Sequence, residues 1–245
     1  MRVIIAVLLL SAFGGAASAF HPLLSEDTLF LGRDVRQAEL GFEHSVSRNG
    51  AEVFSNTASA ELSYGLLERV DILLSVPWQG WNSRGVSQSG LGDVSLETKF
   101  PVGEKAGWTL ALKPGFSMPA GNERKSIGAG KGGVWIYGIT GRTAGSWQYY
   151  MNAGYLYNRN SVDEEENIFK ASAAAAYAVL PKVLVSGDLA AETNTDKNSS
   201  AVPVSAVFGL IWSPYTSLDL DAGVRLGLTA PADDLGLLLG LTLRI

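Results

Sequence analysis

Residues 217–229 read SLDLDAGVRLGLT, and their alternation decides the fold. Leu218, Leu220, Ala222, Val224, Leu226 and Leu228 share one parity, while Ser217, Asp219, Asp221, Gly223, Arg225, Gly227 and Thr229 share the other. A period of two places the first set on one face of an extended strand, whereas a helix would scatter it. The last eleven residues repeat the pattern, with Leu235, Leu237, Leu239, Leu241, Leu243 and Ile245 opposite Gly236, Gly240, Thr242 and Arg244.

Working back through the turn signals, the same period predicts twelve strands. They span residues 34–47, 51–64, 69–82, 93–102, 108–119, 133–143, 147–159, 168–179, 183–194, 201–213, 217–229 and 235–245. Short connections at 65–68, 103–107, 144–146, 180–182 and 214–216 alternate with longer ones at 83–92, 120–132, 160–167, 195–200 and 230–234. An even strand count with turns at one end and loops at the other predicts an all-β, up-and-down antiparallel barrel of the outer-membrane type. The first hairpin departs from this alternation and is expected to close through a three-residue loop at Arg48, Asn49 and Gly50.

Composition agrees. The 245 residues are 47% hydrophobic and 18% charged, with 28 glycines and no cysteine. The charged share lies below the ~25% usual in soluble domains, and a barrel with one lipid-facing parity accounts for it. The net charge of −5 and the lack of any Lys/Arg run argue against a nucleic-acid partner.

The chain opens with Arg2, an apolar run over residues 3–13 and a small-residue end at Ala17, Ser18 and Ala19. This is the pattern of a cleaved secretory signal peptide, residues 1–19. Residues 20–33 then form an extension, either a plug at the periplasmic mouth or a disordered lead, and residues 34–245 form the barrel. The expected location is the outer membrane, with lipid, lipopolysaccharide and the barrel-assembly machinery as partners.

Charged residues keep mainly to the parity opposite the apolar one. The expected lumen lining comprises the acids Glu39, Glu43, Glu61, Asp71, Asp93, Glu97, Asp188, Glu192, Asp219 and Asp221, and the bases Lys99, Lys113, Arg142, Lys170, Arg225 and Arg244. A β-sandwich would have to bury one face of each strand or turn these charges to bulk water, whereas a solvated lumen accommodates them. Trp78, Trp81, Trp108, Trp135, Trp147 and Trp212 fall near strand ends, as do Tyr64, Tyr155, Tyr157, Tyr177 and Tyr215. Rings with a polar tip favour the headgroup level, so these residues are expected to form aromatic girdles. Ile245 stands where such barrels usually end in Phe.

Several short patterns resemble one family. They are His21-Pro22-Leu23, Glu26-Asp27-Thr28, Gly32, Tyr64-Gly65-Leu66, Asp71, Val76-Pro77, Gly90-Leu91-Gly92-Asp93, Lys113-Pro114-Gly115, Pro119-Ala120-Gly121, Leu218-Asp219-Leu220-Asp221 and Leu241-Thr242-Leu243-Arg244. In order and spacing they resemble the meta-pathway phenol degradation outer-membrane proteins over nearly all of the chain after residue 20. The resemblance implies an outer-membrane barrel taking up aromatic or other small hydrophobic compounds, with no catalytic residues to carry over.

The residues offer little to an enzyme or a cofactor. Two histidines and no cysteine leave almost nothing for a zinc or redox site. A membrane-embedded lipid hydrolase needs Ser and His within hydrogen-bond reach on the outer face, and His44 faces Phe54 and Asn56 on the expected neighbouring strand. The run from Gly128 to Gly133 lacks both the Ser or Thr after Lys131 and the helix that a phosphate loop requires. Asp163, Glu164, Glu165 and Glu166 read as a solvated loop tip, with cation binding between lipopolysaccharide headgroups as the rival. The expectation is a non-enzymatic passive channel for small solutes, without cofactor or metal. The alternative is a structural or adhesin-like barrel with a lumen sealed by ion pairs.

Overall fold

A computed structural model describes residues 21–48 and 51–245. The expected signal peptide and the hairpin tip at Asn49 and Gly50 lie outside the described residues.

The strands are β1 (Arg36–Ser47), β2 (Val53–Leu67), β3 (Val70–Ser83), β4 (Val86–Leu91), β5 (Val94–Lys105), β6 (Trp108–Met118) and β7 (Val134–Ala144), continuing with β8 (Trp147–Tyr157), β9 (Asn167–Leu180), β10 (Val183–Glu192), β11 (Val204–Tyr215), β12 (Leu218–Gly227) and β13 (Leu235–Arg244). Each pairs antiparallel with its sequence neighbour, except that β4 and β5 lie end to end along β3. Twelve staves result, and β1 pairs with β13 to close the ring. At the seam Arg36 N–H donates to the Ile245 carbonyl at 3.1 Å, and Ile245 N–H returns the bond at 2.8 Å. Closure pairs every stave on both sides except at β4, which pairs with β3 alone, and so satisfies the backbone where no water can.

The fourth stave departs from the sequence reading. Residues 83–92 were expected as a loop, yet β3 runs to Ser83, turns through Arg84 and Gly85, and returns as β4. Both turn residues have positive φ, 50° and 80°, as a two-residue hairpin of matching twist requires. The stave then breaks at Gly92 and Asp93. Trp78 pairs with Leu91 above the break and Ser75 with Ser95 below it, so the β4–β5 stave carries one extra residue there. Ser, Gly and Gln fill β4 because it rises beyond the apolar band, and without alternating apolar side chains it reads as turn.

Barrel polarity is inverted relative to a soluble core. Leu40, Leu62, Phe208 and Leu239 point outward and are 53–60% exposed. Ile139, Val207, Ile211 and Tyr150 point inward and are almost fully buried. Among the described residues no helix is long and apolar enough to cross a membrane.

Candidate functional site: the lumen and its N-terminal strap

Residues 21–35 do not form a strand. They run as a strap inside the short-turn half of the barrel and touch the inner wall on most sides. His21 Nδ1 lies 2.5 Å from Asp221 Oδ1 on β12. Pro22 packs over Gly209 and Gly223, where a Cβ on either glycine would lie within 2.8 Å of the proline ring. Leu24 and Ser25 N–H groups donate to Asp188 Oδ2 at 2.7 and 2.6 Å, and Ser25 Oγ donates to Asp188 Oδ1 at 2.9 Å. Lys113 Nζ reaches Glu26 at 2.6 Å, and Lys99 Nζ reaches Asp27 at 3.1 Å. Leu31 N–H donates to both oxygens of Asp71 at 3.3 Å. Beyond it the Gly32 carbonyl rests against Gly65, leaving no room there for a Cβ.

Such contacts answer a physical demand. A lumen carboxylate out of bulk water must find a cation or N–H donors. Asp188 finds three donors on the strap, and Lys99 and Lys113 find strap carboxylates.

Every lumen candidate on a strand except Arg142 has its side chain on the inward parity. Glu97 pairs with Lys113 at 2.9 Å and accepts from Trp135 Nε1 at 2.8 Å. Glu192 pairs with Lys170 at 2.7 Å, Asp219 with Arg244, and Arg225 with both Glu43 and Asp233 at 2.5 and 2.7 Å. Glu39 and Glu61 face one another across β1 and β2, and Asp71 faces Lys99. Asp93, at the stave break, accepts from Gly121 and Ala129 N–H groups at 2.9 and 2.8 Å and so pins the 119–133 loop against the barrel. Arg142 is a correction. It pairs in register with Tyr149 on the outward parity at the short-turn end, and is exposed.

Among the girdle candidates, Trp78, Trp147 and Trp212 point outward and are 44–54% exposed. Trp108 shares the outward parity of Leu110, and Trp147 packs on Tyr177 with ring centroids 4.7 Å apart. Two candidates are corrected. Trp135 shares the parity of the buried Ile139, and its ring fills the space left by Gly115. Trp81 also turns inward, and its Nε1 donates to the Lys125 carbonyl of the 119–133 loop at 2.9 Å. Nearness to a strand end sets a residue's height, whereas only parity sets its side of the wall.

Sequence reasoning missed the strap's own polar residues His21, Ser25, Glu26 and Asp27 as partners of the wall. Their signal was two adjacent acids, Glu26 and Asp27, in a segment rich in Leu and Phe, which demand a counter-charge wherever that segment is buried.

Beside the strap lie two cavities. One, about 360 Å³, is walled by Leu24, Tyr137, Asn152, Ala190, Pro203 and the Lys170–Glu192 pair. The other, about 210 Å³, lies against β1 to β3.

Comparison with known proteins now bears on this arrangement. Residues 38–245 match the family described as "Putative MetA-pathway of phenol degradation". The chain belongs to this family. No curated protein matches it. Among solved structures, an outer membrane channel from Pseudomonas putida F1 is similar at 16% identity and TM-score 0.75, with 89% of this chain and 98% of that one covered. The NanC porin is similar at 9% identity and TM-score 0.58, covering 85% and 98%. The KdgM porin in complex with disordered oligogalacturonate is similar at 7% and 0.55, covering 84% and 98%. At such identities the likeness establishes the outer-membrane barrel fold, which this family member shares.

Proposed function

We propose that this protein is a passive outer-membrane channel for small solutes, with apolar or aromatic compounds as its preferred cargo. The observation that carries the reading is the 360 Å³ cavity, where Tyr137, Leu24, Ala190 and Pro203 offer apolar surface beside the Lys170–Glu192 pair. Apolar and polar side chains share the walls about equally, with Glu26 and Arg225 beside the Lys170–Glu192 pair, a mixture that suits a small ring bearing a polar substituent. The family description and the channel and porin neighbours support the same reading. In this account the short-turn end faces the periplasm, a signal peptide directs export, and the strap is the periplasmic-side restriction.

A non-enzymatic role is part of the proposal. On the outer face His44 Nδ1 lies 3.0 Å from Asn56 Oδ1, and its aromatic neighbour is Phe54. Asn cannot serve as the nucleophile of a lipid hydrolase.

The sealed, structural barrel is the competing reading, favoured by the ion pairs that hold the strap. Proteoliposome swelling in benzoate and in a similarly sized sugar separates the two. Swelling with faster benzoate entry supports the channel, and no swelling with either solute supports the sealed barrel.

A further inference from the structure

The 210 Å³ cavity differs in chemistry from the other. Glu39 and Glu61 stand directly opposite one another on neighbouring strands. Among the described residues neither lies within ion-pair distance of a basic side chain, and the charges of Lys99 and Lys113 reach Glu61 only at longer range. Like charges in facing positions oppose the pairing of their strands, so a compensating positive charge is called for. The remaining charged groups of this cavity are already engaged. Lys99 is held by Asp27, Glu26 by Lys113, His21 by Asp221, and Asp71 by Leu31 N–H.

A second observation is independent of the carboxylates. Gln37 Oε1 and Thr242 Oγ1 have no hydrogen-bond partner among the described residues, although their residues are only 7% and 1% exposed and both line this cavity. Thr242 sits opposite Glu39 in register, and the Gln37 amide nitrogen donates to Glu39 at 2.6 Å. Two carboxylates and two unsatisfied neutral oxygens make an all-oxygen donor set, which hard cations prefer over nitrogen or sulfur. Above it the inward residues of β1 and β2 are Glu43, Ser45, Ser55 and Thr57, a hydroxyl-lined sector. The inward positions of β9 and β11, in contrast, present Ala174, Ala176, Val207 and Ile211.

We propose that the Glu39–Glu61 pair, with Gln37 and Thr242, is a transit site for small monovalent cations and sets the charge selectivity of the lumen. This rests on the channel reading and adds a second, acid-lined lane beside the larger cavity. Among the described residues no three carboxylates or histidines gather into a metal cluster. Two carboxylates give the weak hold that lets an ion enter and leave.

The test is the reversal potential of the purified full chain in planar bilayers under a KCl gradient, with K⁺ and Cl⁻ as the permeant probes. Wild type is expected to favour K⁺. Acid-lined clefts concentrate counter-ions by about tenfold or more at low salt, so E39Q/E61Q is expected to lose about that factor in K⁺ over Cl⁻ permeability. Restoring one carboxylate, as E39D/E61Q, is expected to recover part of the preference. Heat-modifiable electrophoretic mobility confirms that each variant is folded. If the pair instead shared a proton, E39Q alone would leave selectivity unchanged, and that result overturns the proposal. Conductance without cation preference in wild type also overturns it while leaving the channel reading intact. Absence of any conductance overturns both.

Discussion

Lys113 on β6 bridges Glu26 of the strap and Glu97 of the wall, at 2.6 and 2.9 Å, with its side chain only 5% exposed. One ammonium therefore ties the N-terminal segment to the barrel, beside the Lys99–Asp27 pair and the contacts to Asp188, Asp71 and Asp221. Removing one partner of a buried pair typically costs about 3–5 kcal/mol, because the remaining charges lose their compensation. Lys113→Ala is expected to free the strap while the twelve staves remain closed. Because the protein has no cysteine, Thr28→Cys is a clean reporter at a position that is 8% exposed. Its reaction with a charged thiol reagent is expected to be slow alone and at least tenfold faster in the Lys113→Ala background. Equal rates would mean that the strap's other contacts hold it without Lys113.

Shape holds the strap as well as charge. Pro22 sits over Gly209 and Gly223, and a Cβ at either would overlap its ring. Gly209→Ala with Gly223→Ala is expected to displace Pro22 without altering any charge, at a cost of about 1–3 kcal/mol for the overpacked contact. The Thr28→Cys reporter is expected to speed up here too, with unchanged heat-modifiable mobility. An unaltered labelling rate would show that the socket yields to the extra methyls.

The two inward tryptophans give a spectroscopic prediction. In single-tryptophan variants reconstituted with brominated lipids, Trp78, Trp147 and Trp212 are expected to be quenched strongly. Trp81 and Trp135 are expected to be quenched weakly, because the barrel wall stands between them and lipid. Strong quenching of Trp135 would reverse its assigned face.

At the loop end, Lys197 Nζ lies 2.6 Å from Asp163 Oδ1. The hydrogen bond and the ammonium's charge hold the Asp163 carboxyl below its usual range, and the same contact raises Lys197. A lowered carboxyl favours the contact above the ordinary Asp value near ~4 and loses that support as pH falls through its lowered value. A raised lysine favours it below ~10.4 and loses that support as pH rises through its raised value. At pH 8 both contributions are present. Acylation of Lys197 by an amine-reactive ester is expected to quicken about twofold in Asp163→Asn, a small change suited to an exposed pair. No change would mean that the two loops are not joined through this contact.

Much of this barrel was legible because its chemistry alternates. Residues 217–229 expose the period directly, and the same period set the facing of β1 and β2. Val46 pairs with Phe54 and Phe42 with Ala58, so the even residues of both strands share one face as expected. The pairing ends at Ser47 and Val53, however, and leaves a five-residue connection, 48–52, where three residues were expected. Legibility failed where the lipid constraint lapses. β4 lies beyond the apolar band and reads as loop, and β7 carries no acid or base at its inward positions to tell the two sides of Trp135 apart. The strap was illegible for another reason. Its placement depends on which wall residues await it, and those partners lie about 40 to 200 positions away in sequence.

The most direct test of the central claim is conductance of the purified protein in planar bilayers, with and without residues 20–32. The account predicts small, brief openings for the intact chain and larger, steadier conductance once the strap is removed. Silence from both forms, with the barrel shown to be folded, would contradict it.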